Sequence, residues 1–306
     1  MTESIFDKIT GAIDERGQIK KGFSLGTNVI DGVRFVDGAL DGIYLYHMNK
    51  TRKEPGRLAE IIEQASSGSV EVAVKNAEKY FGGNEGFRML PMAPTITQWI
   101  ANNAFDLDAE NIYTMANYIC VNSNNVEDIK FALVIFSMIG ASHPDEDHIR
   151  LIKAFSMADE LSFFGGYAMK SWPDAEDAIF ETVKKVRGWG RIHLVELLNA
   201  RREDVKEWLL FNGTDNDIDG RYSALVVAKK CDIENLILKK DLQRREYSAI
   251  LIITSLLVDE GPVQGISSMV AGKKLVENVL ERASEFELDS DESMLIKVLE
   301  KYNGNN

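Results

Sequence analysis

Three aspartates at alternate positions, Asp215, Asp217 and Asp219, are followed at once by Gly220. Carboxylate oxygens are ligands that Ca²⁺ prefers, and a glycine at this point allows the sharp turn that gathers them around one ion. The segment follows the apolar helical sequence EDVKEWLLFNG, so it stands where one helix ends and the next begins. Calcium binding and an ordinary turn between two helices are therefore the two interpretations to separate.

The twelfth position of this segment separates them. A calcium loop of the EF-hand type needs a bidentate glutamate there, and counting from Asp215 this chain has Val226. No carboxylate follows within YSALVVAKK to replace it. The aspartates also suit Asx turns and helix caps, because their short side chains accept hydrogen bonds from nearby backbone N–H groups. We therefore predict a solvated turn, with Gly213 ending one helix in a left-handed C-cap and Asp217 or Asp219 capping the next, and no tight calcium site.

A second chemical grouping lies in the sequence VRGWGRIH, which contains Arg187, Trp189, Arg191 and His193 at alternate positions. Guanidinium, indole and imidazole groups together suit an anionic or peptide ligand. The two glycines equally suit a turn between helices, and the segment lacks the GxGxxG and glycine–lysine–hydroxyl patterns of phosphate-binding loops. We take these four residues as the candidate ligand- or partner-binding set, with a structural turn as the alternative.

The four histidines form no recognised metal motif. His143 and His148 flank the acidic sequence PDED, but they miss the i, i+4 helical spacing by one position, and the chain has no HExxH. A solvated turn that caps a helix is the favoured interpretation of that loop. His47, in YLYHM, fits a buried core position and a catalytic position equally. We predict no metal site and no cofactor, and the sequence identifies no catalytic residue.

The cysteines and the apolar runs indicate the compartment. Cys120 and Cys231 both lie in apolar helical sequence, so we predict buried free thiols. Two isolated cysteines imply no disulfide framework, which suits a reducing compartment. The first residues, MTESIFDKITGAIDERGQ, carry charges throughout and contain no apolar signal-peptide core. The longest apolar run, AILIITSLLV, is shorter than the ~20 residues that cross a bilayer. The expectation is a cytoplasmic protein without membrane contact.

The composition is that of a soluble globular protein, with 306 residues, a hydrophobic fraction of 45%, a charged fraction of 27% and a net charge of −13. Such an acidic chain repels nucleic acid on average, and nucleic acid is therefore not an expected partner. One section departs from this average, since about 14 basic and about 10 acidic residues lie between Lys184 and Arg245. That section is the expected contact surface, and it favours an acidic protein or peptide partner.

Helical periodicity dominates the chain. Ile5, Ile9 and Ile13 recur every four residues and predict a short amphipathic helix. The stretch that follows, up to residue 50, is irregular and contains repeated Asp-Gly pairs that mark turns. Within it, VRFVDGALDGIYLYH fits a hairpin as well as a short helix capped by Asp37. Helix-length apolar periods with capping residues fill the remainder, so the predicted class is all-α.

Three regions are expected: 1–50, an N-terminal helix with an irregular Gly/Asp-rich cap; 51–172, a helical region; and 173–306, a region of helical repeats. The last follows from an internal similarity, because YSALVVA at Tyr222 recurs as YSAILII at Tyr247. An apolar helix paired with an amphipathic outer helix is how stacked repeats form a continuous core. Chance similarity between two buried helices is the alternative.

The alternating short helices resemble HEAT and armadillo repeats. This resemblance implies stacked helical hairpins, an α-solenoid, that present a concave surface to a partner. The predicted function is thus a non-enzymatic scaffold that binds a protein or peptide.

A second resemblance is to an uncharacterised bacterial family whose members sometimes carry the label limonene hydroxylase. The segments that carry it are GWGRIHLVELLNARREDVKEWLLFNGTDNDIDGRYSALVVAKKCDI and DGALDGIYLYHM. The label implies an oxidoreductase, which is the alternative function and would need an oxygen-activating cofactor.

Overall fold

The computed structural model describes residues 3–26, 28–30, 32–48, 54–84, 86–140, 145–261 and 263–305. Across these residues the protein is all-helical apart from one short β-hairpin, which confirms the predicted class. None of the helices in this part of the chain is long and apolar enough to cross a membrane. The elements are, in order, α1 (Ile5–Ala12), β1 (Val29–Ile30), β2 (Val33–Arg34), α2 (Ala39–His47), α3 (Gly56–Ser66), α4 (Val70–Gly82), α5 (Ala93–Asn103), α6 (Ala109–Asn122), α7 (Val126–Ile139), α8 (Glu146–Met157), α9 (Ser162–Met169), α10 (Ala175–Val183), α11 (Trp189–Leu197), α12 (Glu203–Asn212), α13 (Arg221–Lys230), α14 (Ile233–Leu236), α15 (Arg244–Val258), α16 (Gly272–Arg282) and α17 (Ser290–Asn305).

The chain divides into two compact units, Met1–Leu197 and Leu198–Asn306. Helices α1 to α11 belong to the first unit, and α12 to α17 belong to the second. The three regions expected from residue patterns, 1–50, 51–172 and 173–306, remain predictions about how the sequence is organised.

The N-terminal cap combines a helix, a hairpin and a second helix. Ser4 caps α1 by accepting a hydrogen bond from Asp7 N at 3.2 Å, and the predicted apolar positions Ile5 and Ile9 are buried. Strands β1 and β2 then pair antiparallel, and β2 is the beginning of the stretch for which a hairpin and a helix both fitted. That stretch ends in α2, so the helix alternative is confirmed there.

The start of α2 differs from the prediction, because Asp37 does not cap it. The Asp37 carboxylate instead accepts hydrogen bonds from Ser24 Oγ at 2.8 Å and from Leu25 N at 2.7 Å, which ties the cap to itself. The N-cap residue is Gly38, whose φ of 80° lies in the left-handed region that favours glycine. The helix therefore begins at a left-handed glycine, whose own position supplies no capping side chain.

Helix α7 is the centre of the first unit. Its residues Leu133, Val134, Ile135 and Phe136 are fully buried, and α5, α6 and α9 pack around it. A helix that is apolar on all sides must be covered on all sides, which explains this central position. A single basic side chain, Lys130, nevertheless lies in its first half.

The similar sequences at Tyr222 and Tyr247 lie in α13 and α15, which pack against each other in the second unit. Tyr247 is fully buried, and its hydroxyl donates to Val279 O at 2.9 Å. Corresponding positions differ in exposure, because Val227 is fully buried whereas Ile252 is 43% exposed. The two helices thus have similar sequences but bury different faces.

Candidate functional site

Four charged residues meet inside the first unit and form the Lys130 cluster, which comprises Lys130, Asp41, Glu127 and Glu160. The Lys130 ammonium lies 2.8 Å from Asp41 Oδ2, 3.2 Å from Glu127 Oε1 and 2.7 Å from Glu160 Oε1. The side chain of Lys130 is fully buried, and those of Asp41 and Glu160 are each 2% exposed. Charges this deep are stable in proteins only when they are paired, so each member depends on the others.

Two of these carboxylates fix the start of α2. Asp41 lies in the first turn of that helix, where its own charge reaches Lys130. Glu160 Oε2 accepts a hydrogen bond from Gly38 N at 2.7 Å and another from the amide of Asn28. Glu160 stands in the connection between α8 and α9, so this contact joins that connection to the N-terminal cap.

The third carboxylate fixes the approach to α5. Glu127 Oε1 faces Lys130, while Glu127 Oε2 accepts a hydrogen bond from Met89 N at 2.6 Å. Met89 directly precedes Leu90 and Pro91, which lead into α5. One buried ammonium therefore connects three separate stretches of the unit: the start of α2, the entry to α5, and the connection that leads into α9.

One cation facing three carboxylates leaves surplus negative charge in the cluster. Burial raises the pKa of Asp41 to about 7, against the opposing attraction of Lys130. For Glu160, the attraction of Lys130 and the hydrogen bonds from Gly38 and Asn28 outweigh burial and lower the pKa. For Lys130, the three carboxylates outweigh burial and hold the pKa well above its usual value. Asp41 is thus the member of the cluster that binds a proton near neutral pH.

The three connected stretches form the walls of an open cleft of about 450 Å³, the α2–α5–α9 cleft. Helix α9 contributes two half-exposed rings, Phe163 and Tyr167, which stack with centroids 6.2 Å apart and planes 5° apart. None of the lining residues is a lysine, arginine, histidine, aspartate or glutamate. The residues that line the cleft are Tyr44, Leu45, Leu90, Pro91, Ala93, Pro94, Thr95, Gln98, Phe163 and Tyr167.

A series of rings runs from α2 to the cleft through the start of α11. Tyr46 and Trp189 have centroids 6.4 Å apart, Trp189 and His193 are 5.7 Å apart, and His193 meets Phe163 edge-on at 5.8 Å. Phe163 then continues the series to Tyr167 at the cleft surface. Ring contacts of this kind add to the stabilisation from burial alone, so the series holds Phe163 in place.

Two members of the candidate set, Trp189 and His193, belong to this ring series. The full set is Arg187, Trp189, Arg191 and His193. Trp189, Arg191 and His193 are buried, whereas Arg187 is exposed. Burial lowers the pKa of His193 to about 3, and neither of its ring nitrogens has a hydrogen-bond partner among the described residues. A neutral imidazole is therefore expected at neutral pH. Trp189 and His193 lie behind Phe163, while Arg187 alone of the four is exposed to solvent.

A carboxylate binds the backbone at the start of α11, beside Trp189. The Gly190 N–H donates to Asp159 Oδ1 at 2.9 Å, so a carboxylate lies at the positive end of this helix. The residue after Asp159 is Glu160 of the Lys130 cluster. The acidic pair in the α8–α9 connection thus positions α11 with one residue and α2 with the other.

The aspartate segment between α12 and α13 forms a turn, as predicted, but the predicted caps are wrong. Gly220, and neither Asp217 nor Asp219, is the N-cap residue of α13. Gly213 ends α12 with a right-handed φ of −66° and not in a left-handed conformation.

Asn216 Oδ1 accepts hydrogen bonds from Ile218 N at 2.9 Å and Asp219 N at 2.8 Å. Asp219 Oδ1 accepts from Arg221 N at 2.9 Å, and the Arg221 guanidinium also binds the Asp219 carboxylate. Arg221 further pairs with Asp259 at 2.7 Å. A cation of the protein itself therefore engages Asp219, the third carboxylate of the proposed calcium loop.

Among the remaining titratable candidates, the two thiols and His148 are buried. Cys120 and Cys231 are buried free thiols, which confirms the prediction, and burial raises the pKa of Cys231 to about 12. His148 is buried against the Phe136 ring at 4.6 Å, and the neighbouring Asp145 caps α8 by accepting from His148 N at 2.7 Å. His47 is exposed at the end of α2, and His143 lies outside the described residues. In the described ranges, no group of three or more His, Cys, Asp or Glu is arranged to hold a metal ion.

Sequence reasoning missed the Lys130 cluster entirely. One signal was available, because Lys130 stands in the apolar sequence IKFALVIF and Glu160 in the apolar sequence SMADELSFF. A charge inside an apolar helical run predicts either an exposed face or a buried partner, but the sequence does not say which partner.

No protein-family model, curated protein or solved structure matches this chain.

Proposed function

We propose that the protein is a helical scaffold that binds a segment of a partner protein in the α2–α5–α9 cleft. The observation that carries the proposal is the lining of this cleft, which is aromatic, aliphatic and proline-rich and contains no ionised side chain. Binding sites of this kind bury apolar side chains and use a few polar groups to orient them. Gln98 and Thr95 are polar groups in this lining. The expected ligand is therefore a short segment that inserts an aromatic or large aliphatic side chain.

The stacked pair Phe163 and Tyr167 supports a protein segment as the ligand. Residues that dominate binding between proteins are typically aromatic and lie in well-packed pockets. Both rings are half-exposed here, and the ring series behind Phe163 restricts its movement. A surface that is already ordered loses less entropy when a partner binds. Through its three carboxylate partners, Lys130 also holds the walls of the cleft in place, which reduces this loss of entropy further.

The candidate set acquires two different roles in this proposal. Arg187 is exposed and is the member assigned to direct contact with an acidic group of the partner. Trp189, Arg191 and His193 act from the interior, where Trp189 and His193 support Phe163. Nothing in the geometry of the described residues favours the oxidoreductase alternative, so a single function is proposed.

For residues 173–306 we retain the proposal of a HEAT- or armadillo-like solenoid. Successive contacts of α12 with α13, α13 with α15, and α15 with α16 and α17 support it. An experimental structure tests it directly. A constant rotation between successive helix pairs would support the solenoid, and an irregular arrangement would remove it.

The binding function is tested by selecting ligands from a library of short random peptides displayed on phage. Dissociation constants of the selected peptides are then measured by calorimetry for the wild-type protein, Gln98→Arg and Asn102→Arg. Gln98 lines the cleft, whereas Asn102 does not, and both variants lose the same hydrogen bond from Gln98 Nε2 to Asn102 Oδ1. Asn102→Arg is thus a matched control.

We expect selected peptides to share an aromatic or large aliphatic residue. Gln98→Arg places a charge in an apolar site, so it should weaken binding about tenfold or more, with Asn102→Arg close to wild type. Selection that yields no binder would contradict the proposal. So would binders that tolerate Gln98→Arg as well as they tolerate Asn102→Arg.

A further inference from the structure

A second depression of the first unit, the α1–α8–α10 groove, has a volume of about 570 Å³ and a chemistry different from that of the cleft. Its floor is apolar. It is formed by Ile13, Ile149, Ala154, Met157 and Ala178.

Three cations stand on the rim of this groove. Arg150 and Lys153 project from α8, and Lys185 follows the end of α10; all three are exposed. None of them forms an ion pair with any residue in the described ranges. A chain with a net charge of −13 has an excess of carboxylates, so three unpaired cations along one apolar groove depart from its average surface.

The carboxylates of the groove do not neutralise this rim. Two of them line it, Glu146 and Glu181. Glu181 already binds Lys184 Nζ at 2.9 Å, and the Lys184 ammonium also lies 3.8 Å from the Phe180 ring centroid. The groove therefore presents three cations against one carboxylate, Glu146, that pairs with no cation among the residues that the structure describes.

The walls of the groove determine the form of its ligand. Helices α1, α8 and α10 use their backbone hydrogen bonds internally, so an extended strand would find few backbone partners along them. A helix satisfies its own backbone and is recognised through side chains alone. Apolar side chains spaced three and four residues apart would meet the floor, and acidic side chains beside them would meet the rim.

We propose that the α1–α8–α10 groove binds an amphipathic helix of a partner protein, whose apolar stripe is flanked by aspartate or glutamate. Arg150, Lys153 and Lys185 pair with these carboxylates, and Met157 and Ile149 contact the stripe. The proposal concerns a separate surface and does not depend on the α2–α5–α9 cleft. The rim of the groove selects acidic side chains, whereas the lining of the cleft selects an aromatic or large aliphatic side chain.

The test uses a synthetic peptide of about 18 residues, long enough to form a helix, with leucine every three or four positions and glutamate on both flanks. A second peptide carries lysine in place of every glutamate, and a third carries serine in place of every leucine. Binding to the full chain is measured by calorimetry at low and high salt. The protein variants are Arg150→Glu, Lys153→Glu and the control Lys75→Glu, which reverses an exposed charge on α4.

We expect the glutamate–leucine peptide to bind and the other two to bind at least about tenfold more weakly. Arg150→Glu and Lys153→Glu should each weaken binding about tenfold, because an attractive pair becomes a repulsive one. Salt should weaken the wild-type complex, whereas Lys75→Glu should leave it unchanged.

Three results would overturn the proposal. The first is equal binding of the glutamate and lysine peptides, and the second is binding that Arg150→Glu and Lys153→Glu do not change. The third is another occupant of the groove. Sedimentation would reveal a second copy, if the protein self-associates and Lys153→Glu makes it monomeric. Flotation with phosphatidylserine vesicles would reveal a membrane surface, if vesicles bind and the peptide does not.

Discussion

Lys130 Nζ lies 2.7 Å from Glu160 Oε1, and both side chains are almost completely removed from solvent. The two residues are 30 positions apart in the sequence and belong to different elements. Through Asp41 and Glu127 the same ammonium reaches two further stretches, and together these form the walls of the cleft. The binding surface that we propose is therefore shaped by a polar contact in the interior.

Removing the central cation should destabilise the first unit strongly. Lys130→Met leaves the buried Asp41 and Glu160 and the partly buried Glu127 without their cation, and we expect a loss of about 3–5 kcal/mol in the free energy of unfolding. Urea denaturation followed by circular dichroism measures it, with Lys75→Met on α4 as the exposed control. Adding Glu160→Gln to Lys130→Met should recover part of the loss, since one uncompensated charge disappears. Equal stability of Lys130→Met and wild type would show that the cluster is not ionised.

Asp128 should make stability fall as pH rises. Burial raises the pKa of Asp128 to about 7 from 3.8, so the folded protein binds a proton between these values that the unfolded chain does not. The stabilisation from this proton is fully present below about pH 4 and is lost as the pH rises to about 7. Relative to wild type, Asp128→Asn should therefore gain stability between pH 4 and pH 8, by up to about 4 kcal/mol. Denaturation curves across that range measure the gain, and the exposed Asp106→Asn should show none.

His193 should act in the opposite direction. Its pKa is about 3 in the folded protein and 6.5 in the unfolded chain, so only the unfolded chain binds the proton between these values. The contribution of neutral His193 to the free energy of unfolding is fully present above pH 6.5 and falls as the solution becomes more acidic. His193→Leu should remove this acid sensitivity and leave stability at pH 7 unchanged or higher by about 1 kcal/mol, since two unpartnered nitrogens disappear. The exposed His47→Leu is the control, and an unaltered acid limb in His193→Leu would contradict the assignment.

Helix α2 should tolerate no side chain where it meets Trp189. A Cβ atom on Gly42 would lie on the Trp189 ring, 2.6 Å from both Cε3 and Cη2, and the rigid indole has no room to move. Gly42→Ala should therefore lower the free energy of unfolding by about 1–3 kcal/mol. It should also weaken the binding of peptides selected for the cleft, because α2 is one of the cleft walls. Gly11→Ala on α1 is the control, since its Cβ meets nothing within 4 Å. Similar thermal midpoints for both variants would argue against this contact.

The local features of the chain followed from the sequence. The period of Ile5 and Ile9 predicted α1, the apolar surroundings of Cys120 predicted a buried thiol, and the missing glutamate at Val226 predicted a turn in place of a calcium loop. Each of these depends on residues within one or two helical turns of each other. Side-chain type and spacing determine such features because the interactions are local.

The site was decided by the tertiary structure. A lone lysine in an apolar helix indicates that some partner must exist, but the distances between Lys130, Asp41 and Glu160 follow only from how α2, α7 and α9 are arranged. The same holds for Trp189 and His193, whose residue types suggested contact with a ligand and whose burial places them behind Phe163. Burial and charge pairing depend on neighbours that are distant in sequence, and one sequence does not specify which distant residues become neighbours.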